Sequence, residues 1–393
     1  MHFSYCTNVH RGESWAEVWQ SLRTHVPGVR RALHRAPSDP FPLGLRLGAK
    51  ATTELSEDRA LLRQLRGWME EENLVAYTIN GFPYGAFHGT RVKEQVFAPD
   101  WSRPERFTYT QQLFELLQEL LPEGAEGSVS TVPGSFKEFV AAEPDRKPAI
   151  IAALRRFARE IDTLCHAKHL DLHLGLEPEP LGLLENSADT FAFFDALTDG
   201  LSASEAEMLL RRIGVCYDAC HFAIAYEDAA TALEGLCNAG IRLSKIHLSN
   251  ALALDPRNPE AILRVRQFQE PVYLHQVAAR HQDGTIHRFR DLPDALTDLA
   301  NPHTPAAVEW RVHFHIPLYA QPDAPMDSTV SHLHSMSTWL AKNAGRCRHF
   351  EMETYTFDVL PAALRQASAE EMIAEEFRWC ESAIFFPQPG ISA

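Results

Sequence analysis

The chain has 393 residues, of which 45% are hydrophobic and 10% aromatic, and its formal net charge is −15. This charge argues against nucleic acid or an anionic membrane as the main partner, because both attract clustered lysine and arginine. Seven scattered cysteines without disulfide-framework spacing, no signal-peptide pattern and no apolar run of about 20 residues predict a cytoplasmic protein without a membrane span.

Strands and helices alternate along the first two thirds of the chain. Hydrophobic periodicity and turn residues predict strands at residues 3–10, 41–47, 74–79, 129–132, 172–177, 214–218 and 243–248. The same reasoning predicts helices at residues 14–33, 56–73 with Ser56 as the N-cap, 104–121, 148–167, 189–212 and 227–238.

The alternation then fails for about one hundred residues, which is far longer than an ordinary loop. We therefore expect a functional insertion or lid at residues 250–345 within a single domain of residues 1–393. Inside it, segments 272–277 and 285–289 flank an Asp-Gly turn and predict a hairpin, and residues 308–316 alternate as a strand does. A helix at 326–342, a strand at 349–355 and a helix at 369–382 complete the pattern.

Eight principal strands, most of them followed by a helix, predict parallel pairing and a closed (β/α)8 TIM barrel. In such barrels the reacting groups lie at the carboxyl ends of the strands, on one rim. Four predicted strands end in a carboxylate or an imidazole, and one more histidine follows three residues after the sixth strand: Glu177, Asp218, His247, Glu353 and His221.

These five residues form a candidate metal site. Any one of them alone is more often a satisfied structural residue, but their joint placement at strand ends favours ligation. A mixed set of oxygen and nitrogen ligands suits Zn²⁺, Mn²⁺, Fe²⁺ or Co²⁺ better than Ca²⁺. For Glu179 and Glu351 we expect supporting or structural roles.

Other polar residues are candidates for binding a small-molecule substrate. Asn8 and His10 lie at the end of the first predicted strand, where they would bind substrate hydroxyls or help to start the next helix. After the third strand, Asn80, Tyr84 and His88 form a polar and aromatic group suited to a sugar-like ligand. Within 308–316, alternation places three residues on one face: Arg311, His313 and His315. The two histidines would form a pair of metal ligands, or the set would clamp a phosphate or carboxylate through the arginine. The alternative is a half-exposed strand of the insertion without a binding role.

The pattern of Glu177, Asp-x-x-His at 218–221, His247 and Glu353 resembles the xylose isomerase-like barrel superfamily, which includes sugar isomerases, epimerases and apurinic endonucleases. Within it the chain resembles the EboE family of metabolite traffic proteins. The resemblance spans nearly the whole chain and is carried by residues 5–15, 80–85, 130–136, 176–180, 217–221, 311–318 and 353–361.

The superfamily resemblance implies one to three divalent metals on these rim residues, with His221 as a further ligand or a proton-transfer group. Many members have Asp-x-His or Asp-x-Asp before the last strand, whereas this chain has Arg311-Val312-His313, which argues against a full second or third metal site. The EboE resemblance implies work on a secondary metabolite, with other proteins of that pathway as partners.

Two functions follow as hypotheses. The first is metal-assisted isomerisation or epimerisation of a polyol, cyclitol or sugar-like compound, free or phosphorylated, with Glu177, Glu353 or His221 moving the proton. The second is a non-catalytic carrier that holds a metabolite at the same rim. A nuclease function is disfavoured by the acidic charge and the lack of a basic run.

Overall fold

A computed structural model describes residues 2–89, 91–301, 303, 305–365 and 367–385. Thirteen strands are present there: β1 (His2–Cys6), β2 (Phe41–Arg46), β3 (Leu74–Asn80), β4 (Glu126–Thr131), β5 (Asp171–Leu176), β6 (Ile213–Asp218), β7 (Leu243–Leu248), β8 (Asn250–Leu254), β9 (Val277–Arg280), β10 (Ile286–Phe289), β11 (Glu309–Ile316), β12 (Met326–Ser328) and β13 (His349–Met352).

Eight of these strands close into a parallel barrel in the order β1-β13-β7-β6-β5-β4-β3-β2. The barrel strands are buried almost throughout, and every residue of β6 and of β7 is buried. Strands covered on both faces read as nearly continuous apolar runs, which is why the sequence pattern identified them. The predicted TIM-barrel fold is confirmed.

Within the described residues, fourteen α-helices cover the barrel and flank the second sheet: α1 (Trp15–Ala32), α2 (Ala49–Glu57), α3 (Arg59–Glu71), α4 (Pro104–Leu120), α5 (Lys137–Ala142), α6 (Arg146–Lys168), α7 (Ser187–Thr198), α8 (Ala203–Arg212), α9 (Ala219–Ile224), α10 (Ala229–Asn238), α11 (Pro259–Val265), α12 (Leu292–Leu299), α13 (Val330–Lys342) and α14 (Ala369–Cys380). Ser14 begins α1 with a capping box, in which its side chain accepts from the Glu17 amide and Glu17 accepts from the Ser14 amide. None of the described helices is both long and apolar enough to cross a membrane.

Between β7 and β13 the chain forms a second sheet of five strands, in the order β10-β9-β11-β8-β12. Its long strand β11 pairs antiparallel with both β8 and β9. Because β8 starts two residues after β7 ends, this sheet is attached directly at the carboxyl end of a barrel strand. That attachment places the inner face of β11 over the barrel rim.

The amino-terminal half differs from the prediction at two helix and strand ends. The first strand ends at Cys6, since Thr7–Val9 form a 3-10 turn in which the Thr7 hydroxyl accepts from the Arg46 amide at 2.8 Å. Ser56 does not cap a helix, because α2 already begins at Ala49. Asp58 caps α3 instead and accepts from the Ala60 amide at 2.8 Å.

Two corrections concern the second sheet and one the last strand. The first hairpin arm is β9 rather than residues 272–277, because the Glu270 carboxylate holds the amides of Val272 and Tyr273 away from the ladder. The helix predicted at 326–342 begins only at Val330, since Met326–Ser328 pair with β8 as a strand. The last barrel strand ends at Met352.

Candidate metal centre

Four side chains converge at the carboxyl ends of four neighbouring barrel strands. Glu177 follows β5, Asp218 ends β6, His247 lies in β7 and Glu353 follows β13. The register sets this arrangement, because Asp218 lies beside His247 across β6 and β7. One potential ligand atom from each residue lies within 4.8 Å of those of the other three, and all four residues are buried. The rim site predicted from the sequence therefore exists as a geometric cluster.

The imidazole of His247 is surrounded by carboxylate oxygens. Its Nδ1 atom lies 3.1 Å from Glu177 Oε1, 3.1 Å from Glu353 Oε2 and 3.6 Å from Asp218 Oδ2. Glu177 Oε2 and Asp218 Oδ2 have no hydrogen-bond partner within the described part of the chain. Since buried carboxylates need a compensating charge, unpaired oxygens around one imidazole fit a divalent cation with oxygen and nitrogen ligands.

The pKa values of these groups reflect the crowding of charge. Burial, together with neighbouring carboxylates, raises the pKa of Glu177 to about 7. Burial would also raise the pKa of Asp218, but nearby imidazoles, His221 first, hold that pKa well below its ordinary value. The pKa values of neighbouring carboxyl groups at one site are shifted apart in this way. Asp218 is therefore ionised, whereas Glu177 titrates near neutral pH.

A buried ion pair supports His247 from below. Glu351 Oε2 lies 3.2 Å from His247 Nε2 and 2.5 Å from Lys245 Nζ, and all three side chains are fully buried. A histidine that ligates a metal with one nitrogen commonly donates its other N–H to a carboxylate, which fixes the ring. The Glu351 side chain needs the space above Gly44, where a Cβ atom would lie 1.7 Å from Glu351 Oε1.

Three further histidines point their Nε2 atoms at one another beside this cluster. His221 Nε2 lies 3.1 Å from His313 Nε2, which in turn lies 3.2 Å from His315 Nε2. Their Nδ1 atoms donate to oxygen acceptors, namely the carbonyl of Pro178, the side-chain Oε1 of Gln276 and the carbonyl of Glu353.

These donations show that Nδ1 carries a proton in each of the three rings. Gln276 Nε2 donates to the Pro180 carbonyl at 3.0 Å, which settles that its oxygen faces His313. Burial lowers the pKa of His221, and it lowers that of His313 well below the ordinary value. The Nε2 atoms of His221 and His313 therefore carry lone pairs, and a cation is a partner that such nitrogens accept.

The three histidines lie beside the first cluster and share a potential ligand set with it. A triad of Asp218, His221 and His315 also has potential ligand atoms within 4.8 Å of one another. Asp218 belongs to this triad and to the first cluster, so a second cation held by the triad would share it. The sequence-based argument against a second metal considered only the Asp-x-His pattern, and it stays a prediction.

The predicted substrate-binding residues divide into two groups. Asn8 and Asn80 donate to Glu353 Oε1 at 2.9 and 2.8 Å and thereby hold that carboxylate in place. Asn8, His313 and His315 also line the cavity that opens onto the rim, together with Glu177, His221 and Glu353.

The other four predicted residues do not line this cavity. His10 bonds Tyr5 and stacks on His25, and Tyr84 packs on Tyr109. His88 Nε2 donates to the Asn8 carbonyl and its Nδ1 accepts from the Tyr273 hydroxyl, so His88 supports the cavity wall from behind. Arg311 bonds Glu309 and the Ala223 carbonyl and lies over the Tyr226 ring.

Several cavity residues were not identified as site residues from the sequence. Glu179 lies on the wall, accepts from Gln276 Nε2 at 3.3 Å and has a pKa held well above its ordinary value, first by burial. Alternation with Glu177 could have indicated it. Tyr273 and Tyr355 also line the wall, but nothing in their local sequence distinguishes them from packing residues.

A second cluster of carboxylate and imidazoles lies at the opposite end of the barrel. Glu126 Oε1 accepts from His173 Nε2 and from Arg242 Nη2, each at 3.0 Å. His349 Nδ1 donates to the Ser128 hydroxyl at 2.7 Å. Although burial alone would raise it, the pKa of Glu126 is held well below its ordinary value by these basic neighbours, His173 first. We call this group the floor cluster and the group at the carboxyl ends the rim cluster.

Comparisons with known proteins support the fold. No protein-family model and no curated protein matches the chain. A crystal structure of D-psicose 3-epimerase in the presence of D-fructose aligns with a TM-score of 0.50 at 11% identity, over 98% of this chain and 99% of that chain. A xylose isomerase-like TIM barrel protein from Mycobacterium smegmatis in complex with magnesium aligns with a TM-score of 0.50 at 11% identity, over 96% and 94%. At such identities the similarity supports the TIM-barrel fold and nothing finer.

Proposed function

We propose that the chain is a divalent-metal-dependent isomerase or epimerase that acts on a sugar-, polyol- or cyclitol-like compound, free or phosphorylated. We further propose that it serves the traffic or biosynthesis of a secondary metabolite, as its resemblance to the EboE family implies. One observation carries the enzymatic part of the proposal: buried carboxylates with unpaired oxygens converge on His247 beside a cavity that can admit a ligand.

Glu177, Asp218, His247 and Glu353 would hold the metal, and His221 and His315 would hold a second one with Asp218. A divalent cation bound there supplies Lewis acidity that polarises a substrate carbonyl and acidifies the neighbouring C–H group. Zn²⁺, Mn²⁺, Fe²⁺ and Co²⁺ suit this mixture of carboxylate and imidazole ligands.

Glu177 is the group we assign to proton removal. Its Oε2 atom has no hydrogen-bond partner among the described residues, and the side chain lines the cavity, where a base must lie to reach a substrate C–H group. The C–H bond of the substrate breaks, Glu177 takes the proton, and the electron pair passes to the carbonyl oxygen. Protonation of the former carbonyl carbon, while the hydroxyl proton on the deprotonated carbon moves to the former carbonyl oxygen, gives isomerisation. Return of the proton to the opposite face of the deprotonated carbon gives epimerisation.

Glu353 and His221 are the groups placed to return the proton. Both line the cavity, and Asn8 and Asn80 orient the Glu353 carboxylate through its Oε1 atom. His221 is neutral at ordinary pH because burial lowers its pKa, and its Nδ1–H is committed to the Pro178 carbonyl. Nε2 is the atom left for proton exchange, and it is also the atom that would ligate a second metal, so His221 would return the proton only when the second site is empty.

The test is deuterium exchange from solvent into the carbon next to a carbonyl, followed by NMR. Untagged protein is stripped with a chelator and reloaded separately with Zn²⁺, Mn²⁺, Fe²⁺ or Co²⁺, and D-fructose, its phosphates and a keto-inositol serve as probes. We expect exchange with at least one reloaded metal and none in the stripped protein. Equal exchange in stripped protein would refute the metal-dependent reaction, and binding without exchange would indicate the carrier function.

A further inference from the structure

One wall of the cavity is aromatic and aliphatic. The rings of Phe87, Tyr273 and Tyr355 contact one another with centroids 5.1 to 5.2 Å apart. Phe87 and Tyr273 belong to a small hydrophobic cluster with Val92, with Tyr355 packed against it, separate from the main core. A separate apolar cluster that lines a ligand cavity is available to cover an apolar part of the ligand.

This wall lies next to the histidines of the rim. The centroid of the Tyr355 ring is 4.8 Å from that of the His315 ring, so the apolar wall directly adjoins the polar histidines. The Tyr273 hydroxyl donates to His88 Nδ1 at 2.7 Å, which satisfies its polar end. A ligand whose oxygens reach the rim cluster must therefore place its other end against these rings.

The charges that line the cavity disfavour a phosphorylated ligand. Among the described residues of the wall, Lys93 is the one lysine or arginine. Its ammonium lies 2.5 Å from the Asp291 carboxylate and also donates to the Glu270 carbonyl, so its charge is already compensated. Glu177, Glu179 and Glu353 line the same space. Phosphate sites are normally built from unpaired arginine, lysine or backbone N–H donors, and this wall offers no such side chain.

From these observations we propose that the ligand is an uncharged hydroxylated ring that carries an apolar aliphatic or aromatic substituent. The ring oxygens face the rim cluster, and the substituent packs on Phe87, Tyr273 and Tyr355. This inference rests on the proposed function for the chemistry at the ring, but it concerns recognition, which is measured separately from turnover.

The experiment measures the binding of a homologous series by calorimetry to the metal-loaded protein. Methyl, butyl and hexyl β-D-glucopyranosides present one hydroxylated ring with growing apolar chains, and D-glucose 6-phosphate presents the same ring with a charge. Each buried CH₂ group strengthens binding by up to about fourfold. We therefore expect hexyl to bind at least about tenfold more tightly than methyl, and the phosphate to bind no better than methyl.

Two variants locate the effect and one controls for surface adsorption. Phe87→Ala and Tyr355→Ala should each flatten the dependence on chain length, and circular dichroism identifies a variant that has failed to fold. Leu263→Ala removes a large hydrophobic side chain that is 66% exposed and should leave the dependence unchanged.

The outcomes separate recognition from chemistry. Tighter binding of glucose 6-phosphate than of the hexyl glycoside, or a chain-length effect that survives in both folded aromatic variants, overturns the inference. A chain-length effect in protein that shows no solvent exchange with any ketone would leave recognition standing and refute the proposed reaction.

Discussion

The two ends of the barrel interior hold the same kinds of side chain but differ in how the charge is balanced. At the floor cluster, Glu126 meets His173 and the guanidinium of Arg242, each at 3.0 Å. At the rim cluster, three carboxylates surround His247, and Glu177 Oε2 and Asp218 Oδ2 lack partners in the described chain. A carboxylate–imidazole cluster thus indicates a metal site only where protein cations do not already balance it.

Alternate residues of β13 and of the segment directly after it run from the floor cluster to the rim cluster. His349 lies at the floor, Glu351 pairs with Lys245 halfway up the barrel, and Glu353 lies at the rim. The pKa of Glu126 is lowered at one end and that of Glu177 raised at the other. Both clusters contain buried atoms without a hydrogen-bond partner among the described residues, and what the floor has in addition is the guanidinium of Arg242, which balances the Glu126 charge.

The largest expected effect is on metal content. Asp218→Ala removes a carboxylate shared by both potential ligand sets and should weaken metal binding at the rim by more than about 100-fold. Glu126→Gln changes the floor cluster instead and should leave the metal content unchanged. Elemental analysis per chain of untagged proteins measures both. Stoichiometric metal in Asp218→Ala would show that the rim cluster is not the binding site.

The pH dependence of stability should differ between the two ends. In chelated protein Glu177 binds its proton more tightly when folded, with a pKa of about 7 against an ordinary 4.5. Folding stability therefore falls by about 3 kcal/mol as pH rises from 4.5 through 7. Urea titrations at several pH values should show a fall that is about 3 kcal/mol larger in wild type than in Glu177→Gln, since Glu376, whose pKa burial also raises to about 7, contributes a fall to both proteins. The same slope in both proteins would contradict the assignment.

Glu126 should behave in the opposite way. Its lowered pKa contributes stability above the ordinary carboxyl pKa, and this stability is lost as pH falls through the folded pKa. The difference between wild type and Glu126→Gln should accordingly shrink in acid, in the same set of titrations.

The support of His247 by Glu351 should affect metal affinity more than metal stoichiometry. Glu351→Gln replaces the carboxylate beside His247 Nε2 and Lys245 with a neutral amide. We therefore expect the metal dissociation constant to rise about 10- to 100-fold. Competition with a chelator of known affinity measures it. Glu376→Gln is the matched control, since Glu376 is also buried but bonds Thr354 and the Leu318 amide. Equal changes in both variants would point to general destabilisation.

The smallest effect concerns the floor cluster. Glu126→Gln leaves Arg242 with weaker compensation and should lower the free energy of unfolding by about 1–2 kcal/mol at pH 8. Urea denaturation measures this change. A much larger loss, or a loss of rim metal, would show that the two ends are coupled.

The rim cluster was predictable because parallel barrel strands end on one rim, so Glu177, Asp218, His247 and Glu353 needed only correct strand ends. The set of three histidines formed by His221, His313 and His315 was not predictable to the same degree. His313 and His315 reach His221 through the antiparallel pairing of β11 with β8, a long-range register that no local pattern encodes.

The apolar wall was hidden for a different reason. Tyr273 and Tyr355 come from two distant segments, and an aromatic residue on its own reads as packing. Arg311 shares a face with His313 by alternation, yet its guanidinium bonds Glu309 and the Ala223 carbonyl outside the cavity wall. Alternation thus places a long side chain on a face but does not say where its charged end lies.

The missing Cβ at Gly44 has an evolutionary consequence. An alanine there would overlap the Glu351 carboxylate, and loss of Glu351 would leave Lys245 as a buried cation without a partner. Substitutions at positions 44, 245 and 351 should therefore be tolerated together and counter-selected singly. Among distant relatives, covariation of these three positions would identify the proteins in which a lysine–glutamate ion pair supports the histidine of the seventh strand, even where overall sequence identity is low.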